Sequence, residues 1–200
     1  MGLALLVVDV QNDFCPGGSL AVKDGDKVVP GLNKVIEAFN KSGFPIFFTR
    51  DWHPRNHISF RNQGGIWPPH CIQGTHGADF HPGLEVPQSA TIISKAEDSG
   101  FEAYSGFQGT DLEKRLRVLG VDEVFIGGLT TDYCVRQSSL DALHAGFTVN
   151  VLKYCTRAVN LKPGDDVRAL GEMKKAGARL ITTRDAIKRS GWRAAVESSS

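Results

Sequence analysis

Short apolar runs rich in β-branched and aromatic residues alternate along this 200-residue chain with segments of helical spacing, and no other feature limits the fold so sharply. Residues 4–10 read as an unbroken strand that carries Asp9 near its end, and residues 45–49, 91–94, 124–126, 147–152 and 179–182 read as five more. Between them, Val28, Leu32, Val35, Ile36 and Phe39 share one helical face over residues 28–41. A T-D-L-E capping box at Thr110 to Glu113 opens a helix to about Leu119. A third helix begins near Tyr133, capped by Thr131 or Asp132 after Gly127 and Gly128 end a strand, and runs to about Ala145. Residues 163–176 and 184–189 give the last two. Strands without polar alternation are buried on both faces, so the pattern predicts an α/β fold: a doubly wound three-layer α-β-α sandwich around a mostly parallel six-stranded sheet with right-handed crossovers. One domain over residues 1–200 is expected, with residues from about 190 onward, Ser198–Ser200 in particular, as a frayed tail.

Composition narrows the function classes. Lys and Arg number 23 against 22 Asp and Glu, a net charge of +1, so nothing marks a nucleic-acid or membrane surface. The apolar run at residues 3–8 is too short to span a bilayer and lacks a basic leader, which speaks against a membrane span or a signal peptide. Four scattered cysteines without a CxxC, namely Cys15, Cys71, Cys134 and Cys155, suit reduced thiols in a cytoplasmic protein. Oligomeric state is not legible, and a homo-oligomer stays open.

In a doubly wound sheet, ligands bind beyond the carboxyl ends of the strands. Asp9 closes the first strand, Asp51 and His53 follow the second, Lys95 follows the third and Cys134 follows the fourth, so the candidates fall at one end of the sheet. Cys134 alone reads as a small packing residue. At a helix start, however, the dipole and unpaired N–H groups favour a thiolate, and the thiol pKa is expected to fall below roughly 8.5. The same N–H groups could hold an oxyanion. Asp9 can accept the cysteine proton and Lys95 can pair with Asp9 and steady the anion. Asp51 and His53 lie two apart on one face of an extended segment, and His70, after Trp67-Pro68-Pro69, can complete a site of two histidines and one carboxylate. That donor set suits Zn2+, Fe2+ or Mn2+ better than Mg2+. His57, with Ser59 near it, is a candidate auxiliary. Other readings are a nucleotide-binding α/β module and a non-catalytic metal-binding protein. The nucleotide-binding module lacks its glycine-rich turn, because Val10-Gln11-Asn12-Asp13 follows the first strand.

Taken together, D-V-Q-N-D-F at Asp9, C-P-G-G-S-L at Cys15, R-D-W-H-P-R-N-H-I-S-F at Arg50, W-P-P-H-C at Trp67, S-K-A-E-D at Ser94 and G-L-T-T-D-Y-C-V at Gly128 resemble the nicotinamidase family of isochorismatase-like cysteine hydrolases. The resemblance implies hydrolysis of nicotinamide to nicotinic acid and ammonia in NAD salvage, with Asp9, Lys95 and Cys134 as the catalytic triad. It further implies one divalent metal on Asp51, His53 and His70, Zn2+ before Fe2+ or Mn2+. A cis Leu129-Thr130 peptide and an oxyanion hole from the Thr130 and Cys134 N–H groups are also implied, and Phe14, Trp67, Tyr104 and Leu129 would form the substrate wall. His57 stands at a different distance from His53 than the additional histidine ligand of some relatives, and is not assigned. Within the same superfamily, the resemblance leaves a related small-molecule amidase or isochorismatase-type hydrolase as the alternative.

Overall fold

A computed structural model describes residues 2–192; the expected frayed end falls mostly beyond them. Six strands, β1 (Gly2–Val8), β2 (Ile46–Asp51), β3 (Thr91–Lys95), β4 (Val121–Leu129), β5 (Thr148–Arg157) and β6 (Arg179–Ile181), form one sheet in the order β3-β2-β1-β4-β5-β6, every pair parallel. Five α-helices accompany them: α1 (Val29–Lys41), α2 (Leu112–Val118), α3 (Arg136–His144), α4 (Asp165–Lys175) and α5 (Thr183–Ser190). The doubly wound three-layer α/β fold is therefore the observed one, with the sheet wholly parallel.

Side chains alternate across β1. Leu3, Leu5 and Val7 join a core with Leu32, Val35, Ile36 and Phe39 of α1 and Ala186 of α5. Ala4, Leu6 and Val8 join the opposite core with Leu112 and Leu116 of α2, Ala142 of α3 and Met173 of α4. Burying both faces of the central strand is what requires its unbroken apolar sequence.

The strand order reverses direction between β1 and β4, and a crevice opens where their carboxyl ends diverge. Contrary to the sequence reading, Gly127 and Gly128 do not end β4; it continues through both to Leu129. A β-carbon on Gly128 would stand 2.0 Å from Val8 O, and its φ is +127°, so glycine here allows β1 to lie tight against β4.

Two local expectations also change. The T-D-L-E box does not form: Thr110 Oγ1 accepts from Leu112 N–H, but Asp111 holds the N-cap position without a side-chain capping bond, its carboxylate accepting from Arg115 instead, and Glu113 turns to Arg117. A reciprocal capping box does close α5, between Thr182 and Asp185. Ahead of α3, residues Thr131–Val135 form a π turn, so helical structure starts earlier than Tyr133. Neither Thr131 nor Asp132 caps it, since Thr130 is the N-cap residue and Asp132 accepts from Val159 and Asn160 N–H across the crevice.

Candidate active site

The carboxyl ends of β1 to β4 bring Asp9, Asp51, Lys95 and Cys134 together, all buried. Asp9 follows β1 with φ +47°. Its Oδ1 accepts from Thr49 Oγ1 at 2.6 Å, and its Oδ2 lies 3.0 Å from Lys95 Nζ without an aligned hydrogen bond. Lys95, the last residue of β3, donates to Ala103 O at 3.1 Å and to Asp51 Oδ1, and its Nζ stands 3.6 Å from Cys134 Sγ. Asp9, Asp51 and Cys134 each have a ligand atom within 4.8 Å of the others. The Lys95 ammonium already supplies a cation among them, so this second cluster reads as a proton-transfer unit rather than a metal site.

Electrostatics correct one sequence expectation. Burial pushes the Cys134 thiol well above its ordinary pKa; Lys95 pulls it down, but Asp9 and Asp51 push it up again. The thiol is 5% exposed, and the cost of a desolvated thiolate outweighs the helix-start field. Burial likewise raises the Asp9 carboxyl; Lys95 opposes the shift and Asp51 adds to it. Burial alone would lower Lys95, yet the charges of Asp51 and Asp9 hold it far above its usual value, and it is an ammonium. A thiol and a carboxyl that are both reluctant to ionise, side by side with a fixed cation, can pass one proton between them at little cost.

Asp51, His53 and His70 converge on a second point. Their ligand atoms lie within 4.8 Å of one another, with His53 Nε2 3.6 Å and His70 Nε2 3.9 Å from Asp51 Oδ2. Each ring is oriented through its other nitrogen, His70 Nδ1 against Pro68 O at 2.8 Å and His53 Nδ1 against Ala96 O at 3.3 Å, which leaves both Nε2 atoms facing the carboxylate. Burial pushes His70 down to about 4, so its imidazole is neutral and free to donate a lone pair. Three buried donors of this kind, steered from behind, fit a divalent metal with positions left for a further ligand. His57 does not join them. Its Nδ1 pairs with Ser59 Oγ at 2.7 Å and its Nε2 with Phe101 O at 3.0 Å, while its ring stacks on His53 at a centroid distance of 4.1 Å.

A narrow cleft connects the two clusters, and Phe14, Trp67, Tyr104 and Thr130 are among the residues that line it. Trp67 Nε1 donates to Tyr104 Oη at 3.0 Å and the Trp67 ring meets Tyr133 edge-on. Leu129 is a correction. It is fully buried in the core on the α1 side and does not line the cleft, because as the last residue of β4 it points into that layer. The Leu129-Thr130 peptide is cis.

Several contributors escaped the sequence reading. Gln11 receives Asp51 N–H on its Oε1 and donates to Asp51 O, both at 2.8 Å, fixing β2 where it delivers the Asp51 carboxylate to His53 and His70. Asp13 accepts from Cys71 N–H at 2.7 Å and ties the Phe14 loop to the segment carrying His70. Tyr133 and Glu102 line the cleft. The signal for Gln11 and Asp13 lay in D-V-Q-N-D-F itself, where a polar run follows a fully apolar strand and must find buried partners.

The Isochorismatase domain family matches residues 3–185 of the chain. The chain belongs to the isochorismatase family. Among its members, nicotinamidase of Escherichia coli strain K12 is 41% identical, across 91% of this chain and 95% of that one. The zinc complex of Pyrococcus horikoshii pyrazinamidase superposes with a TM-score of 0.87 at 51% identity, covering 91% of this chain and 99% of that one. The crystal structure of PnC1 from L. infantum in complex with nicotinate does so with a TM-score of 0.83 at 36% identity, over 92% and 93%.

Proposed function

We propose that this chain hydrolyses nicotinamide to nicotinic acid and ammonia, as a step of NAD salvage, through a thioester on Cys134. The observation that carries this reading is the meeting, in one aromatic-walled cleft, of a thiol within 3.6 Å of a buried ammonium, an adjacent carboxylate and three metal donors. The likeness to a nicotinamidase and to a nicotinate-bound structure supports the substrate. The ligand set, together with the zinc-bound relative, supports Zn2+ as the ion held by Asp51, His53 and His70. When bound, it supplies a Lewis-acidic position at the edge of the cleft suited to a pyridine nitrogen.

In the reaction proposed, the ring lies between Phe14 and Trp67 with Tyr104 behind, and the carboxamide faces Cys134. Asp9 takes the thiol proton while Lys95 steadies the sulfur anion, which attacks the amide carbon. The N–H groups of Thr130 and Cys134 receive the oxyanion. Asp9 gives its proton to the nitrogen, the C–N bond breaks and ammonia leaves. Asp9 then takes a proton from water as the hydroxide adds to the thioester, and returns it to sulfur when the C–S bond breaks, releasing the carboxylic acid. The raised affinity of Asp9 for its proton suits both halves of that cycle.

The chain is proposed to act as one domain, in the cytoplasm, on a small molecule and apart from nucleic acid and membranes, and a homo-oligomer is compatible with this. No helix among the described residues is long and apolar enough to cross a membrane. An ammonia-release assay on purified protein with nicotinamide, alongside metal analysis of the same sample, tests the proposal. Absence of ammonia from metal-loaded protein would refute it.

A further inference from the structure

Two buried side-chain atoms among the described residues lack a hydrogen-bond partner in the protein, Asp9 Oδ2 and Thr130 Oγ1. Asp9 Oδ2 faces the cluster of Lys95 and Cys134, where the proton moves. The Thr130 hydroxyl has no part in the reaction above, which uses only that residue's amide. Thr130 is 2% exposed and lines the cleft together with Cys134. It also holds the N-cap position of the turn Thr131–Val135, where a threonine hydroxyl ordinarily accepts from a backbone N–H two or three residues on; here no such bond is made. Its neighbour behaves differently, since Thr131 Oγ1 pairs with Thr156 Oγ1 at 2.7 Å. A buried hydroxyl that forgoes an available cap is costly unless a ligand completes it.

We propose that the Thr130 hydroxyl is a further catalytic group, donating a hydrogen bond to the carboxamide oxygen as it becomes the oxyanion of the adduct on Cys134. The inference rests on the amide hydrolysis proposed above. A carboxamide presents one accepting oxygen and one donating NH2. Asp9 Oδ2, once ionised, can only accept, so it serves the nitrogen side and the oxygen requires donors. The amide nitrogen and Oγ1 of one threonine are separated by just Cα and Cβ, so both can reach the same oxygen. The hydroxyl proton stays on Thr130 throughout; the bond strengthens as negative charge builds on the substrate oxygen and relaxes when the carbonyl reforms. A donor of this kind acts on kcat more than on KM.

Thr130→Val removes the hydroxyl at constant shape, and Thr130→Ser keeps it. With nicotinamide, the valine variant should lose about 10²-fold in kcat with KM little changed, and the serine variant should recover most of that loss. Because no cap is lost, the Tm of Thr130→Val should be unchanged or raised by up to about 4 °C. The affinity for pyridine-3-carbaldehyde, which adds to the thiol and places an oxygen at the same point without any amide turnover, should fall at least about tenfold in the valine variant. Wild-type kcat in Thr130→Val, a loss that serine fails to recover, or a Tm lowered by several degrees would each overturn the inference. Wild-type protein that releases no ammonia from nicotinamide would instead sink the proposed function. Aldehyde affinity would still read the hydroxyl in that event, and equal affinities of wild type and Thr130→Val would overturn its role.

Discussion

Cys134 Sγ stands 3.6 Å from the Lys95 ammonium, yet its thiol stays harder to ionise than a free one, because burial and two neighbouring carboxylates outweigh one lysine. In the reaction proposed above, reactivity then depends on a proton leaving for Asp9 as substrate enters, not on a standing thiolate. Cys134→Ala should therefore reduce ammonia release to background while circular dichroism and Tm stay near wild type; substantial residual turnover would exclude the cysteine as nucleophile. Asp9→Asn and Lys95→Ala should each lower kcat by orders of magnitude, and the double variant should be little worse than either, since groups acting as one unit are not additive. Multiplicative losses would contradict a shared proton-transfer unit. Lys95→Ala should also unfold more readily. Removing the ammonium leaves Asp9 and Asp51 buried without their common partner, and breaking a buried pair costs about 3–5 kcal/mol.

Between elements, Glu123 of β4 performs a purely structural task. It is 2% exposed and accepts from Asn150 of β5 and Arg189 of α5, with Arg179 of β6 3.6 Å away, so one carboxylate joins four elements at the end of the sheet opposite the cleft. Burial pushes its carboxyl up, but the Arg189 and Asn150 hydrogen bonds and the arginine charges prevail and hold its pKa below the ordinary value. The sign follows: a depressed folded-state pKa gives stability that is present above the unfolded value near 4.5 and fades as pH falls through the folded one. Arg189 is half exposed and Arg179 more so, which weakens the pairs, so Glu123→Gln should lower stability by about 1–2 kcal/mol at pH 7 and by less at pH 3. Denaturant unfolding at the two pH values checks this, and an equal loss at both would deny the carboxylate its role. Glu123 opens the run E-V-F-I-G-G, and the sequence held no sign of its partners, which lie 27 and 66 positions away. What could be read locally was read: the period of α1 and the apolar β1, whereas β5 runs on to Arg157 beyond the residues 147–152 read from the sequence. The π turn before α3, the passage of β4 through two glycines and the inward turn of Leu129 depend on how β1 packs against β4, and packing leaves no periodic trace in a sequence. The site was more legible than its supports, because Asp9, Asp51, Lys95 and Cys134 each terminate or follow a strand, whereas Gln11, Asp13 and Thr49 act through contacts over 40 or more positions.

At the scale of the whole molecule, one topological fact places two chemistries within a single cleft. Reversal of strand order at β1 and β4 opens the crevice, β1 and β4 bring Asp9 and Cys134 to it, β2 with its following loop brings His53 and His70, and Asp51 stands within reach of both groups. In the reaction proposed above, the ring of a flat aromatic amide would lie toward His53 and His70 while its carboxamide meets the Cys134 thiol. Benzamide tests that arrangement, since it keeps the shape and the carboxamide but carries C–H where nicotinamide has its ring nitrogen. Stacking on Phe14 and Trp67 is alike for both rings and cannot favour one. A site built around a specific polar contact rejects an analogue lacking it by up to roughly 10⁴-fold in kcat/KM where the contact is buried. Metal-loaded protein should therefore prefer nicotinamide strongly. Chelation, or His53→Ala, should erase most of that preference by bringing nicotinamide down toward the benzamide rate rather than by raising benzamide. Equal kcat/KM values for the two amides in metal-loaded protein would mean that the ion braces the loop after β2 without touching substrate, and the aromatic walls alone would then set a broader amidase specificity.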